Sequence, residues 1–156
     1  MTLTATKVTT KWETKRTQEK AAEMFATIYG SANEAIAKHA PKAKEEFETL
    51  VRQHRVEYLK KVGVKTPLEL VKALAEVEHN VFGSEIEIAG DDNKASMKYL
   101  NCAMWNATQK LFKFTPEQEK EMGESCQHSQ KLLAKEFGFN VEIKMDKDNF
   151  EVIYTK

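Results

Sequence analysis

Gly83-Ser84-Glu85-Ile86-Glu87-Ile88-Ala89-Gly90-Asp91-Asp92-Asn93-Lys94-Ala95-Ser96-Met97-Lys98-Tyr99-Leu100-Asn101 is the stretch that decides the fold. Ile86 and Ile88 alternate with Glu85 and Glu87 before the turn residues Gly90-Asp91-Asp92-Asn93, and Ala95, Met97 and Tyr99 alternate on the return. A period of two sends successive side chains to opposite faces of a strand, and Gly, Asp and Asn are the residues a tight reversal needs. The stretch therefore predicts a hairpin, and Gly83 marks where the pattern changes.

Upstream of Gly83 the apolar residues recur at helical spacing. Ala21, Ala22, Phe25, Ile28 and Tyr29 mark a first helix over about 11–29, with Gly30 as its break and a short helix over 31–40 following. Pro41 opens a third helix carrying Phe47, Leu50, Val51, Tyr58, Leu59 and Val62 to a stop at Gly63. Thr66-Pro67, an N-cap followed by proline at the first helical position, opens a fourth that runs to Phe82. Downstream, Asn101 caps a helix over 102–112, and Thr115-Pro116-Glu117-Gln118 has the form of a capping box for a helix ending at Gly138. Phe139, Val141, Ile143 and Met145 then alternate with polar residues, and Asp146-Lys147-Asp148-Asn149 turns the chain into Phe150, Val152 and Tyr154. The order predicts an α+β fold: N-terminal helices on a four-stranded antiparallel sheet made of two hairpins separated by a helical pair. We expect residues 1–10 to be extended or disordered and 11–156 to form one domain, with 11–82 as the helical layer and 83–156 as hairpin, helices and hairpin.

The 156 residues carry 24 Lys+Arg against 24 Asp+Glu, so the formal net charge is zero. Nucleic acid and anionic membranes are held by surplus positive charge, and neither is expected as a partner. Met1 to Thr10 lacks the apolar core of a secretion signal, and two cysteines make no disulfide framework, so a reduced, cytoplasmic chain is expected.

The residues that could carry chemistry are few. Leu68, Val71, Leu74, Ala75, Val81 and Phe82 form an apolar stripe on the fourth helix, and Glu78 falls near its centre. A carboxylate there must be paired, protonated or bound, which makes it a candidate general base or ligand; the alternative is a helix that frays before Glu78. His79 lies at the edge of the same stripe. His54, seven residues after Phe47, is expected to point inward, whereas His39 beside Pro41 is expected at the surface. Cys102 stands where a strand hands over to a helix, whose positive end lowers a thiol pKa, and Cys126 gains the same position if Gly123 interrupts its helix. Buried, inert thiols are the alternative. Glu78, His79, Cys102 and Cys126 together offer oxygen, nitrogen and sulfur suited to zinc, with manganese the other candidate, although they lack the close spacing of a metal motif. Tyr99, Met104, Trp105 and Phe82 are either core or the walls of an apolar ligand pocket.

Ser84-Glu85-Ile86-Glu87-Ile88 through Leu100-Asn101-Cys102, the second cysteine at Cys126, and Leu132-Leu133-Ala134-Lys135-Glu136-Phe137-Gly138-Phe139 make the half from Gly83 onward resemble the L-2-amino-thiazoline-4-carboxylic acid hydrolase-like family and the related vinyl-reductase-type ligand-binding domains. The resemblance implies a helix-covered antiparallel sheet, a homodimer, and a pocket near the cysteines. It also implies either hydrolysis of a small cyclic C=N substrate at a C–N bond or binding of small apolar ligands or metals. Two readings follow: a small-molecule-binding domain with hydrolase chemistry at Cys102, Glu78 and His79, or a non-catalytic ligand sensor or dimerising accessory domain with an apolar pocket.

Overall fold

The computed structural model describes residues 12–145 and 150–156. The segment 1–10 and the turn expected at 146–149 lie outside the described residues. Helix α1 (Thr14–His39) leads through a single 3-10 turn, Pro41–Ala43, into α2 (Lys44–Lys61) and α3 (Pro67–Val77). The chain continues from α3 as a π-helical turn, Glu78–Phe82, closed by Gly83 in the left-handed region. Strands β1 (Glu85–Gly90) and β2 (Lys94–Asn101) follow, then α4 (Ala103–Leu111), α5 (Pro116–Glu136), β3 (Asn140–Met145) and β4 (Phe150–Thr155). The sheet order is β1-β2-β4-β3 and every pairing is antiparallel, so the fold is α+β with helices preceding two hairpins joined at their inner strands.

Strand alternation sets which face is covered. Ala95, Met97 and Tyr99 of β2 and Val152 and Tyr154 of β4 are buried beneath Leu70, Val71 and Leu74 of α3, Val56 and Leu59 of α2 and Leu133 of α5. The opposite face is mostly polar, with Glu87, Lys98, Glu151 and Lys144 in one cross-strand row beside the buried Ile153. Gly90 has φ +121, and a Cβ there would lie 2.2 Å from the Lys94 carbonyl oxygen, so the hairpin turn requires glycine. Asp91 completes the turn by accepting hydrogen bonds from the Asn93 and Lys94 N–H groups. The capping box at Thr66 and Glu69 starts α3, and the Thr66 hydroxyl also reaches Asp92 Oδ1 at 3.0 Å. A cap thus ties the helical layer to the tip of the first hairpin. The second capping box, at Thr115 and Gln118, starts α5 where the sequence predicts it.

One glycine differs from the sequence expectation, and a second leaves its helix whole, as expected. Helix α1 runs through Gly30 without a break, because the residue serves close packing: a Cβ there would stand 2.5 Å from the Phe112 ring just after α4. Helix α5 likewise runs through Gly123, where a Cβ would meet Met145 Cε at 3.0 Å. The contact of α1 with α4 is built from small residues, Ala22, Ala26 and Ala107, and Glu23 spans it by pairing with Lys20 of its own helix and Lys110 of α4. No helix among the described residues is long and apolar enough to cross a membrane.

Ala is favoured over Gly inside an open helix by about 1 kcal/mol, whereas overpacking costs about 1–3 kcal/mol. Gly30→Ala is therefore expected to destabilise the protein in urea denaturation. A double-mutant cycle with Phe112→Ala should return a coupling of about 1 kcal/mol, and strictly additive effects would contradict the close approach.

Candidate functional site

The stripe on α3, Leu70, Val71 and Leu74, continues by one further turn to Glu78, where the α-helix passes into the π turn. Glu78 is half-buried and Ser84, six residues on, is fully buried. The Ser84 hydroxyl donates to Glu78 Oε2 at 3.3 Å and accepts from the Ala103 N–H at 3.1 Å. One hydroxyl therefore joins the carboxylate to the first turn of α4. Burial raises the Glu78 pKa above the ordinary carboxylate value; the positive charge of Arg55 and the Ser84 hydrogen bond oppose that rise without cancelling it.

His79 Nδ1 lies 3.0 Å from the Ser84 carbonyl oxygen, which can only accept, so the ring carries its proton on Nδ1. The residue is exposed. The His79 carbonyl receives the Gln18 side-chain amide at 2.9 Å, which anchors the π turn to α1. These bonds hold His79 against backbone beside Glu78.

Cys102 lies at the start of α4, as expected, but it takes the N-cap position itself in place of Asn101, which ends β2: the helix begins at Ala103, and Cys102 Sγ accepts from the Trp105 N–H at 3.5 Å. The expected lowering of its pKa does not follow. Loss of hydration is the larger effect and the negative charge of Glu78 adds to it, so the thiol is pushed up to about 11. Cys126 lies inside the uninterrupted α5 and gains no helix end. The residue is exposed as a whole, yet neighbouring atoms crowd its thiol; desolvation raises its pKa too, with Arg55 pulling the other way. Both thiols are thus protonated at neutral pH.

Tyr99 of β2 is buried on the covered face of the sheet, its ring 5.5 Å from Phe150, and desolvation lifts its pKa well above the normal phenol value. The negative charge of Glu78 adds to that rise and the positive charge of Arg55 opposes it. Beside it the buried Tyr154 hydroxyl donates to the buried Gln130 Oε1 at 2.6 Å, joining β4 to α5.

The remaining sequence candidates lie elsewhere. Phe82 packs edge-on against Phe25 at 5.4 Å, Met104 packs into the small-residue contact of α1 with α4, and Trp105 stacks on Phe114 at 6.2 Å. His54 does not point inward: its side chain is 80% exposed and lies beside Glu57. The reason is that α2 changes its packed face along its length. Phe47 near the start meets Tyr29 of α1, whereas Val56 and Leu59 near the end enter the core, so counting from Phe47 carried the wrong face forward. His39 is exposed, as expected. Among the described residues no group of three or more His, Cys, Asp and Glu side chains is arranged to hold a metal ion; the ring of His79 is directed to the Ser84 carbonyl.

Sequence reasoning missed Ser84, Arg52 and Arg55. The arginines had a legible signal, since they share the stripe of Val56 and Leu59 at spacings of three, four and seven. Both line an open cleft of about 70 Å³ between α1, α2 and α5, together with Ser125, Ser129 and His128. No protein-family model matches the chain, and the search of curated proteins finds no match.

A carboxylate with a raised pKa makes the folded state prefer the protonated form. Its contribution to stability is complete below the ordinary carboxylate value of 4.5 and is lost as pH rises through the higher folded value. Urea denaturation from about pH 4 to about pH 7.5 should therefore show Glu78→Gln gaining stability relative to the parent chain as pH rises. A difference independent of pH would place Glu78 in water.

Proposed function

We propose that the chain is a small-molecule-binding domain, in a reduced cytoplasmic setting, whose ligand enters the cleft between α1, α2 and α5, and that binding rather than bond cleavage is its activity. The position of Arg55 carries this reading. Its guanidinium lines the open cleft, its charge reaches Glu78, Cys126, Tyr99 and Tyr154, and it forms no ion pair among the described residues. A cation at the edge of a low-dielectric region, with convergent polar groups beside an apolar core, suits a ligand that brings complementary charge or acceptors.

The hydrolase form of the reading, implied by the family resemblance, would use Cys102 as nucleophile, Glu78 as base and His79 as proton carrier, with zinc or manganese as the metal alternative. The raised thiol pKa weighs against it, because the thiolate is the nucleophile and the metal ligand. The binding form calls for no metal.

Titration of the ¹⁵N-labelled chain with a library of small polar heterocycles should give saturable shifts around Arg55, Cys126 and Tyr99, with no turnover of a thiazoline carboxylate. Native Cys102 should react with iodoacetamide more slowly, by about 10-fold or more, than a free thiol of pKa 9.0 at the same pH, since a thiol near 11 has a thiolate fraction about 100-fold smaller, partly offset by the greater nucleophilicity of its thiolate. Turnover that disappears in Cys102→Ser would replace binding with catalysis, and the absence of any binding compound would remove the reading.

A dimerising domain is the second reading, favoured by Met24 and Ile28, one turn apart on α1 and 63% and 67% exposed. Sedimentation at about 100 µM should then reveal a dimer, weakened about tenfold or more by Ile28→Lys. A monomer at that concentration would exclude this reading.

A further inference from the structure

We propose that the cleft between α1, α2 and α5 binds a small oxyanion, a carboxylate or phosphate group, through Arg52, Arg55, Ser125 and Ser129. This rests on the small-molecule reading and names the chemistry of the ligand.

The first support is where polarity falls. Glu48, Arg52 and Arg55 on α2 are spaced by four and three residues, and Ser125 and Ser129 on α5 by four, so each set forms one stripe. These stripes line the cleft at the solvent-facing rim of the contact between α2 and α5, where Ser125, His128 and Ser129 are exposed, while Val56, Leu59 and Leu133 pack deeper in the core. The second support is unmet donor capacity. Arg52 Nε is enclosed without a hydrogen bond among the described residues but is ion-paired with Glu136 at 3.6 Å, so the capacity left for a ligand in the cleft rests mainly on Arg55. The same guanidinium gives one longer bond to Thr49 Oγ1 at 3.4 Å. Arg55 makes no ion pair among the described residues. Buried polar donors in folded proteins nearly always have partners, and a planar guanidinium fork fits two oxygens of one anion.

The third support is size and balance. A volume of about 70 Å³ accommodates several waters or one group of four or five heavy atoms. Glu48, the acid in the cleft wall, lies 3.9 Å from Lys44 and is drawn toward that outer partner. His128 lines the same wall and completes a surface rich in donors. Tyr29 of α1 closes the site with a ring that is packed on Phe47.

The test is titration of the intact chain with sodium phosphate and, separately, sodium acetate, against sodium chloride of matched ionic strength, following the Arg52 and Arg55 Nε–Hε NMR signals. We expect saturable shifts with one of the two anions at concentrations where chloride has no effect, and the responding anion identifies the group. Arg55→Gln should weaken binding about tenfold or more, and Arg55→Lys nearly as much, since a point charge does not reproduce the fork. Ser129→Ala should weaken it about threefold to fivefold with the fold intact by circular dichroism. Arg55 is the primary variant because Arg52 also approaches Glu136 across the helix pair. Failure of both anions to shift either signal, or shifts unchanged in Arg55→Gln, overturns the oxyanion site. If the anions fail while polar heterocycles still perturb Cys126 and Tyr99, the small-molecule reading survives without it; if the heterocycles fail as well, both fall.

Discussion

A single buried hydroxyl organises the interior of this protein. Ser84 has no exposed surface, and such a group is tolerable only when its donor and acceptor capacity is used. It gives its proton to Glu78 and receives the N–H of Ala103, so the end of the helical layer, the entry to the first strand and the start of α4 meet at one oxygen. Neighbouring features depend on that junction: Cys102 is held at the helix start and His79 is drawn back to the Ser84 carbonyl. Glu78 is kept at the edge of the apolar stripe.

The electrostatics of the region follow from competition between burial and charge. A helix N-terminus stabilises a thiolate by a modest amount, whereas removing a thiol from water and setting it near a carboxylate acts in the opposite sense. At Cys102 the second effect is larger, which is why a position that favours reactivity in isolation yields a protonated thiol here. Arg55 acts across the same region. Its charge is too far from Glu78 to form an ion pair, yet it limits the rise in the Glu78 pKa and eases the thiol of Cys126. A cation that influences several groups while pairing with none of the described carboxylates leaves the region open to an incoming partner.

Much of the fold was legible because it rests on local rules. Period-two alternation around Gly90–Asn93 located the hairpin, the Thr66 cap and the capping-box pattern at Thr115 located two helix starts, and the stripe through Val71 and Leu74, with Glu78 set near its centre, drew attention to that carboxylate, which is half-buried in the turn after α3. The misreadings have one shared cause. A glycine within a helical pattern marks either a break or a close neighbour, and the neighbour of Gly30 is Phe112, remote in sequence. The direction of His54 depended on which side of α2 meets the core, a fact set by α1 at one end and the sheet at the other. Ser84 was invisible because its importance comes from an N–H nineteen residues away. Local patterning reports the face an element offers, but not what meets it.

The polar face of the sheet has a consequence for how the second hairpin finds its alignment. Lys144 stands opposite Glu151 in register, 3.5 Å between charged atoms, with Glu142 two residues back on the same face. A slip of one residue would turn the apolar side chains of β3 outward, and a slip of two would preserve the faces but either set Glu142 against Glu151 or leave Lys144 opposite Ile153. Each exposed pair contributes little to the stability of the finished protein, on the order of 0–1 kcal/mol. Their arrangement instead favours one alignment over its neighbours, since a hairpin shifted by two residues meets repulsion or loses a charged partner.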